Sequence, residues 1–302
     1  MALSTNIPGM QINDNKPRKY FSLLFYQAVR DLKPVWMLED MRTMETFYQE
    51  VDDTQRTYNP SEALLYAIVH DHQPYARYLL SHYTDEALSR PGERFCCCPS
   101  SAPHLAMTVR YDRRYILGLI LQEVHRTKPS IPSYTRQGGC LHADDGKTPL
   151  HLACELERPE AVTMLLGNGA SPCVEDHQGR TPLDVLLARF REPSNATPAE
   201  RRRTLDNLLM FMPAGCHFKM KGVLGKEPDF WSKALGEATF QYLVGKTPAA
   251  LVLSAMQTVL RQLSPARFPD SLLELPIPSS LKPLSLTPCS GPSRERSRMR
   301  FV

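Results

Sequence analysis

The chain has 302 residues, enough for a substantial buried core in one or two domains, and its 42% apolar and 23% charged residues are ordinary for a folded protein. A net charge of only +4 supplies no large basic field of the kind that draws nucleic acid. The N-terminus lacks an apolar signal core and no run of 18 apolar residues occurs, which argues against secretion and membrane spanning; eight cysteines without a regular framework then point to reduced thiols in the cytosol.

Residues 1–19 carry no periodic pattern and are expected to be disordered. In residues 20–58, the large side chains Leu24, Phe25, Val29, Trp36 and Leu38 predict one or two helices that cap the N-terminal end of a helical stack. Residues 61–80, SEALLYAIVHDHQPYARYLL, read as a helix, a turn at His70-Asp71-His72 and a second helix ending at Leu79-Leu80. Histidines in such a turn are expected to hydrogen-bond backbone rather than bind metal. Residues 103–121, PHLAMTVRYDRRYILGLIL, repeat that arrangement. Between the two lies Cys96-Cys97-Cys98. As a loop cluster it could touch a client protein, sense redox state or simply be tolerated. Zinc is disfavoured, because no second ligand pair sits at zinc-finger spacing. Long loops between units are often functional, so Cys97 and Cys98 are taken as client-binding residues.

The strongest signal is residues 145–187. Gly146, Thr148, Pro149 and Leu150 recur as Gly179, Thr181, Pro182 and Leu183, a period of 33. Glycine at the tight turn accepts positive φ, Thr148 can cap a helix, and Pro149 sits at its first position, where a missing N–H costs nothing. Leu150, Ala153 and Cys154 form one buried face; Val162, Leu165 and Leu166 form the next; Gly169 closes the second helix in a left-handed conformation. This 33-residue pattern resembles the ankyrin repeat. The resemblance implies an all-α ankyrin-repeat solenoid over 59–192, some units degenerate, with three to four stacked helix pairs. Cys154, at a small-residue position, is read as packing. Were the cysteine cluster incidental, the client surface would be sought on the inner helices around His151 and Asp184.

Helix periodicity stops in the Pro-rich stretch REPSNATP, placing a linker at 193–203 and a helical connecting region at 204–246. The basic run Arg201–Arg203 reads as a solvated helix end. In 247–286, Thr247 is a candidate cap and Pro248 a first helical position. Leu251, Ala255, Val259 and Leu263 then recur every four residues as one apolar stripe. Downstream, Leu275-Pro276-Ile277-Pro278 is stiffened by its prolines into an extended segment. Residues 287–302, with Arg294, Arg296, Arg298 and Arg300, are read as a disordered basic tail.

The arrangement of 247–286 resembles a SOCS box, with Ala255 where that family usually has Cys. The resemblance implies that Leu251, Ala255 and Val259 bind elongin C, carried with elongin B, and that Leu275, Pro276, Ile277 and Pro278 select cullin 5. The order FYQAVRDLKPVWMLEDMR, PSEALLYAIVHDHQPYARYLL, two clear repeats, then RFPDSLLELPIPSSLKPL resembles the ankyrin repeat domain-containing protein 9 family across most of residues 20–286. That implies the substrate receptor of a cullin 5–elongin ubiquitin ligase whose client is inosine-monophosphate dehydrogenase. An ankyrin scaffold without ligase coupling is the alternative.

No enzyme signature competes. Gly146-Lys147-Thr148 and Gly245-Lys246-Thr247 echo the end of a phosphate loop, but that motif needs glycines where Leu141 and Phe240 stand. No Ser/His/Asp order, paired-carboxylate context or dinucleotide fingerprint is present. The chain is therefore expected to be non-catalytic, without cofactor or metal.

Overall fold

The computed structural model describes residues 24–43, 58–92, 103–127, 134–135, 145–193, 196–213, 215–278 and 281–283. All regular structure among them is helical: α1 (24–30), α2 (Val35–Thr43), α3 (Pro60–Val69), α4 (Gln73–His82), the single turn α5 (Thr84–Ala87), α6 (Pro103–Arg110), α7 (Arg114–Thr127), α8 (Pro149–Glu155), α9 (Pro159–Gly167), α10 (Pro182–Arg189) and α11 (Pro198–Phe211). After these come α12 (Lys221–Leu224), α13 (Pro228–Leu235), α14 (Glu237–Val244), α15 (Leu251–Gln262) and α16 (Asp270–Leu273). The expected all-α solenoid is what forms, with inner helices α3, α6, α8 and α10 in one row and outer helices α4, α7, α9 and α11 in a second.

Local sequence starts these helices in a repeated way. Asn59, Thr148, Thr181 and Thr197 each accept the backbone N–H three residues on, and Glu62, His151, Asp184 and Glu200 reach back to the cap's own N–H. Such a reciprocal cap satisfies two backbone donors that the helix cannot, and proline follows immediately at all four places. The cap at Thr197 corrects the linker expected at 193–203. Helix α11 already begins at Pro198 and serves as the outer helix of the last repeat, packed on α9.

The inner-to-outer turns also repeat. Leu32, Asp71, Asp112 and Glu157 take φ of 52°, 56°, 53° and 54°. At each, the next N–H reaches back five residues: Lys33 to Ala28 at 3.0 Å, His72 to Ala67 at 2.8 Å, Arg113 to Thr108 at 2.8 Å and Arg158 to Ala153 at 2.9 Å. Residues 24–43 are therefore a helix pair with the same turn as the repeats, so the stack reaches five pairs instead of three to four. Phe25 seals this first pair, stacking on Tyr58 at 4.6 Å and meeting Tyr66 and Tyr75 edge-on.

Each turn is also tied to the next. His72 Nε2 bonds the Lys33 carbonyl at 2.9 Å, and the Arg113 guanidinium donates to the carbonyls of Ile68 and Val69 at 3.0 and 2.7 Å. Arg158 reaches the Asp112 carboxylate at 3.4 Å, and Arg201 donates to Glu157. Arg201 is thus a structural rung, not part of a free solvated run. The histidine expectation holds for His72. Beneath the turns a continuous core runs through Ala67, Leu79, Leu117, Ala153, Leu165, Leu186 and Leu208. Leu150, Cys154 and Val162 are buried as expected, and Gly169 takes φ of 90°. Each fully buried leucine contributes roughly 1.5–3 kcal/mol of hydrophobic stabilisation.

One expectation about cysteine is corrected. Cys173 and Cys216 are joined as a disulfide, their Cα atoms 6.0 Å apart although 43 residues separate them in sequence. They sit in successive turn segments of the solenoid, a proximity that only stacking creates.

Candidate partner-docking site

Helix α15 does not start as its sequence proposed. Gly245 closes α14 in the left-handed region at φ 82°, and the N–H groups of Lys246 and Thr247 both donate to the Gln241 carbonyl, at 2.9 and 3.3 Å. Thr247 is therefore part of the preceding helix end. The helix opens at Leu251, after Ala250, with no side-chain cap.

Once formed, α15 lies along α11. Its packed side consists of Met256 and Leu260, with Gln257 donating from Nε2 to the Leu209 carbonyl at 2.9 Å. The stripe Leu251, Ala255, Val259 occupies a different side. Leu251 is 85% exposed and its neighbour Val252 56% exposed; Ala255 is exposed, Val259 half-buried, and Leu263 partly packed on the core. An apolar helix turn this open is the opposite of what burial would produce for a core stripe.

A second anchor holds the C-terminal module to the repeats. A Cβ on Gly167 would lie 2.3 Å from the Phe268 ring, so the missing side chain at the end of α9 is the notch that admits Phe268. The Phe211 ring meets it edge-on at 6.4 Å, and Asn207 Nδ2 donates to the carbonyls of Pro159 and Pro283, both at 3.2 Å. Residues 207, 257 and 268 thus tie the C-terminal module to the last two outer helices while the stripe of α15 stays open.

Leu275-Pro276-Ile277-Pro278 is bent, which corrects the expected extended form. The Ile277 N–H donates to the Leu275 carbonyl at 2.8 Å, and that of Leu281 to Pro278 at 3.0 Å. Leu275 and Ile277 are half-buried against the core, leaving Pro276 and Pro278 outward. A proline-restricted bend presents a fixed shape to a partner as well as an extended strand does.

At the repeats, Cys97 and Cys98 lie outside the described residues, as do 1–19 and 287–302. His151 and Asp184 are buried. His151 Nε2 bonds the Arg180 carbonyl at 2.9 Å, and burial, the largest influence, holds its imidazole below the usual histidine range. Asp184 accepts from the Thr181 hydroxyl at 2.9 Å and from the Met220 N–H at 2.7 Å. Neither is available to a client. Asp176 works likewise within its turn: burial pushes its carboxyl up, but donation from the Arg180 and Gln178 backbone and the Arg180 guanidinium outweighs that and holds it low. Gly179 completes this turn at φ 65°.

Sequence reasoning missed the ladder of turns and the Gly167 notch. The ladder had a visible signal in the basic residues of Leu32-Lys33-Pro34, Asp71-His72-Gln73-Pro74 and Glu157-Arg158-Pro159. The notch had none, since its two residues lie far apart in the chain. Among the described residues no group of three or more His, Cys, Asp or Glu could hold a metal ion, and no helix is long and apolar enough to cross a membrane.

Stacked helix pairs with reciprocal Thr-Pro caps and an open apolar helix at one end define an ankyrin-repeat adaptor. The ankyrin-repeat family model matches residues 145–177. The mouse ankyrin repeat domain-containing protein 9 is 41% identical over 295 residues, which span 88% of this chain and 89% of that protein. The chain belongs to the ankyrin repeat domain-containing protein 9 family. Two further matches stay short. The human neurogenic locus notch homolog protein 4 is 46% identical over 54 residues, 17% of this chain and 3% of that protein. The regulatory protein NPR5 of Arabidopsis thaliana is 51% identical over 41 residues, 14% and 8% of the two chains.

Proposed function

We propose that this protein is the non-catalytic substrate receptor of a cullin 5–elongin B/C ubiquitin ligase, acting in the cytosol. The ankyrin stack holds a client, the C-terminal module recruits the ligase, and the transfer chemistry belongs to partner subunits. The observation that carries this reading is the open face of α15. Leu251 and Val252 stand out in water at the start of a helix whose other side is firmly docked. A helix held this way can lay Leu251, Ala255 and Val259 into a partner's groove with little ordering cost. Leu251 is the anchor, and the small Ala255 allows close approach. The bend at Pro276 and Pro278 sets the cullin 5 contact. The client proposed from the family resemblance is inosine-monophosphate dehydrogenase, held at or beside Cys97 and Cys98. The second reading, a scaffold without ligase coupling, is favoured by the same stack if the open stripe binds another protein.

Affinity capture of the full chain tests this. Leu251→Asp places a charge in an apolar groove, a loss on the order of several kcal/mol, and is expected to abolish elongin B and C recovery with unfolding unchanged. Replacing Pro276 and Pro278 by Ala is expected to lower cullin 5 recovery and spare elongin. Serine at 97 and 98 is expected to lower client recovery alone. Full elongin recovery by Leu251→Asp would leave the scaffold reading.

A further inference from the structure

We infer that Cys173 and Cys216 are a reversible redox site, a latch between successive turn segments of the solenoid, whose co-reactant is a low-molecular-weight disulfide such as glutathione disulfide. Three features of the fold lead there. First, a Cα separation of 6.0 Å lies within the range a disulfide spans without backbone movement. Second, both residues are half-exposed, so a small thiol or disulfide can reach them. Cys154 is the contrast: it is fully buried, and burial pushes its thiol far up, so it stays inert. Third, the two segments are held side by side next to the cysteines, the Lys219 ammonium of one donating to the Gln178 carbonyl of the other at 2.6 Å.

The exchange balances without another redox agent. The Cys216 thiolate attacks one sulfur of glutathione disulfide, a protein–glutathione S–S bond forms, and one glutathione leaves as thiolate and takes up a proton. The Cys173 thiolate then attacks the Cys216 sulfur of that mixed disulfide and releases the second glutathione. Two protein thiols become one disulfide, and one glutathione disulfide becomes two thiols.

The position of the latch gives it consequence. The segment carrying Cys216 also donates the Met220 N–H to Asp184 at 2.7 Å and the Lys219 ammonium to the Gln178 carbonyl at 2.6 Å. It leads directly into α12, whose Leu224 is fully buried, and on to α14. Closing the latch pins the junction between the repeats and the helices that precede α15. Opening it leaves the segment's own hydrogen bonds, the Arg191–Glu227 ion pair at 2.7 Å, the Arg202 contacts to Leu235 and Thr239, and apolar packing to hold that junction.

The test equilibrates the full-length protein in glutathione buffers of graded oxidised fraction. Acid quenching, alkylation and peptide mapping read the linkage, and thermal unfolding reads its effect. A Cys173–Cys216 linked peptide is expected to appear and disappear reversibly with the buffer ratio. The unfolding midpoint is expected to rise on the order of 5 °C on closure, as a closed loop of this length implies. Cys173→Ser and Cys216→Ser are each expected to remove that rise. Absence of the linked peptide at every ratio, pairing of either cysteine elsewhere, or a linked form whose midpoint moves by less than about 1 °C would overturn the inference. The parent's own titration decides the matter even if a serine variant folds poorly.

Discussion

In α9, Val162, Leu165 and Leu166 all lie inside the core; in α15, Leu251 and Ala255 stand in water and Val259 is only half-covered. Both helices space their apolar residues to make one face. The difference is what surrounds them. Helix α9 sits between α7 and α11 and is covered from both sides, whereas α15 packs mainly along α11 and buries only Met256, Gln257 and Leu260. Apolar periodicity alone therefore does not say whether a helix face will be covered within its own chain.

That contrast breaks most visibly in a pair of leucines. Leu165→Ala empties a packed site and is expected to cost about 2–5 kcal/mol of folding stability. Leu251→Ala is expected to stay within about 0.5 kcal/mol, because the side chain is already solvated. Denaturant unfolding of both full-length variants checks this, and similar losses would erase the distinction.

The Gly167 notch is the seam between the two regions. Gly167→Ala sets a Cβ against the Phe268 ring and is expected to cost about 1–3 kcal/mol, although alanine is the better helix former. Adding Phe268→Leu is expected to recover part of the loss. A neutral Gly167→Ala in otherwise unchanged protein would mean that the ring does not sit there.

The smallest expected effect concerns pH and belongs to the repeats. His151 titrates lower when folded than when unfolded, mainly through burial. The unfolded chain thus binds the proton more readily, and the stability that His151 contributes is complete above its ordinary value of about 6.5 and lost as pH falls below it. His70 and His125, also held low by burial, add to the same slope. Unfolding followed from pH 7 to pH 5 is expected to show declining stability, with a shallower decline in His151→Gln. An equal slope in that variant would assign the effect to the other two.

The repeats were legible because their determinants are local. A Thr-Pro cap, a glycine at positive φ and an apolar face every third or fourth residue act within a few residues of each other, so 145–187 declared its own structure. The same local rule misplaced the start of α15. Thr247-Pro248 has the look of a cap, but the left-handed Gly245 had already committed the Thr247 N–H to Gln241. REPSNATP read as a long linker for a related reason: its proline content masked the cap at Thr197. The stripe Leu251, Ala255, Val259 was visible as a pattern, and only docking on α11 decided which side of the helix stays open. The Gly167–Phe268 seam and the Cys173–Cys216 pair were beyond sequence altogether. Each joins residues far apart in the chain through the stacking of successive units, and the stack has to exist before either contact can.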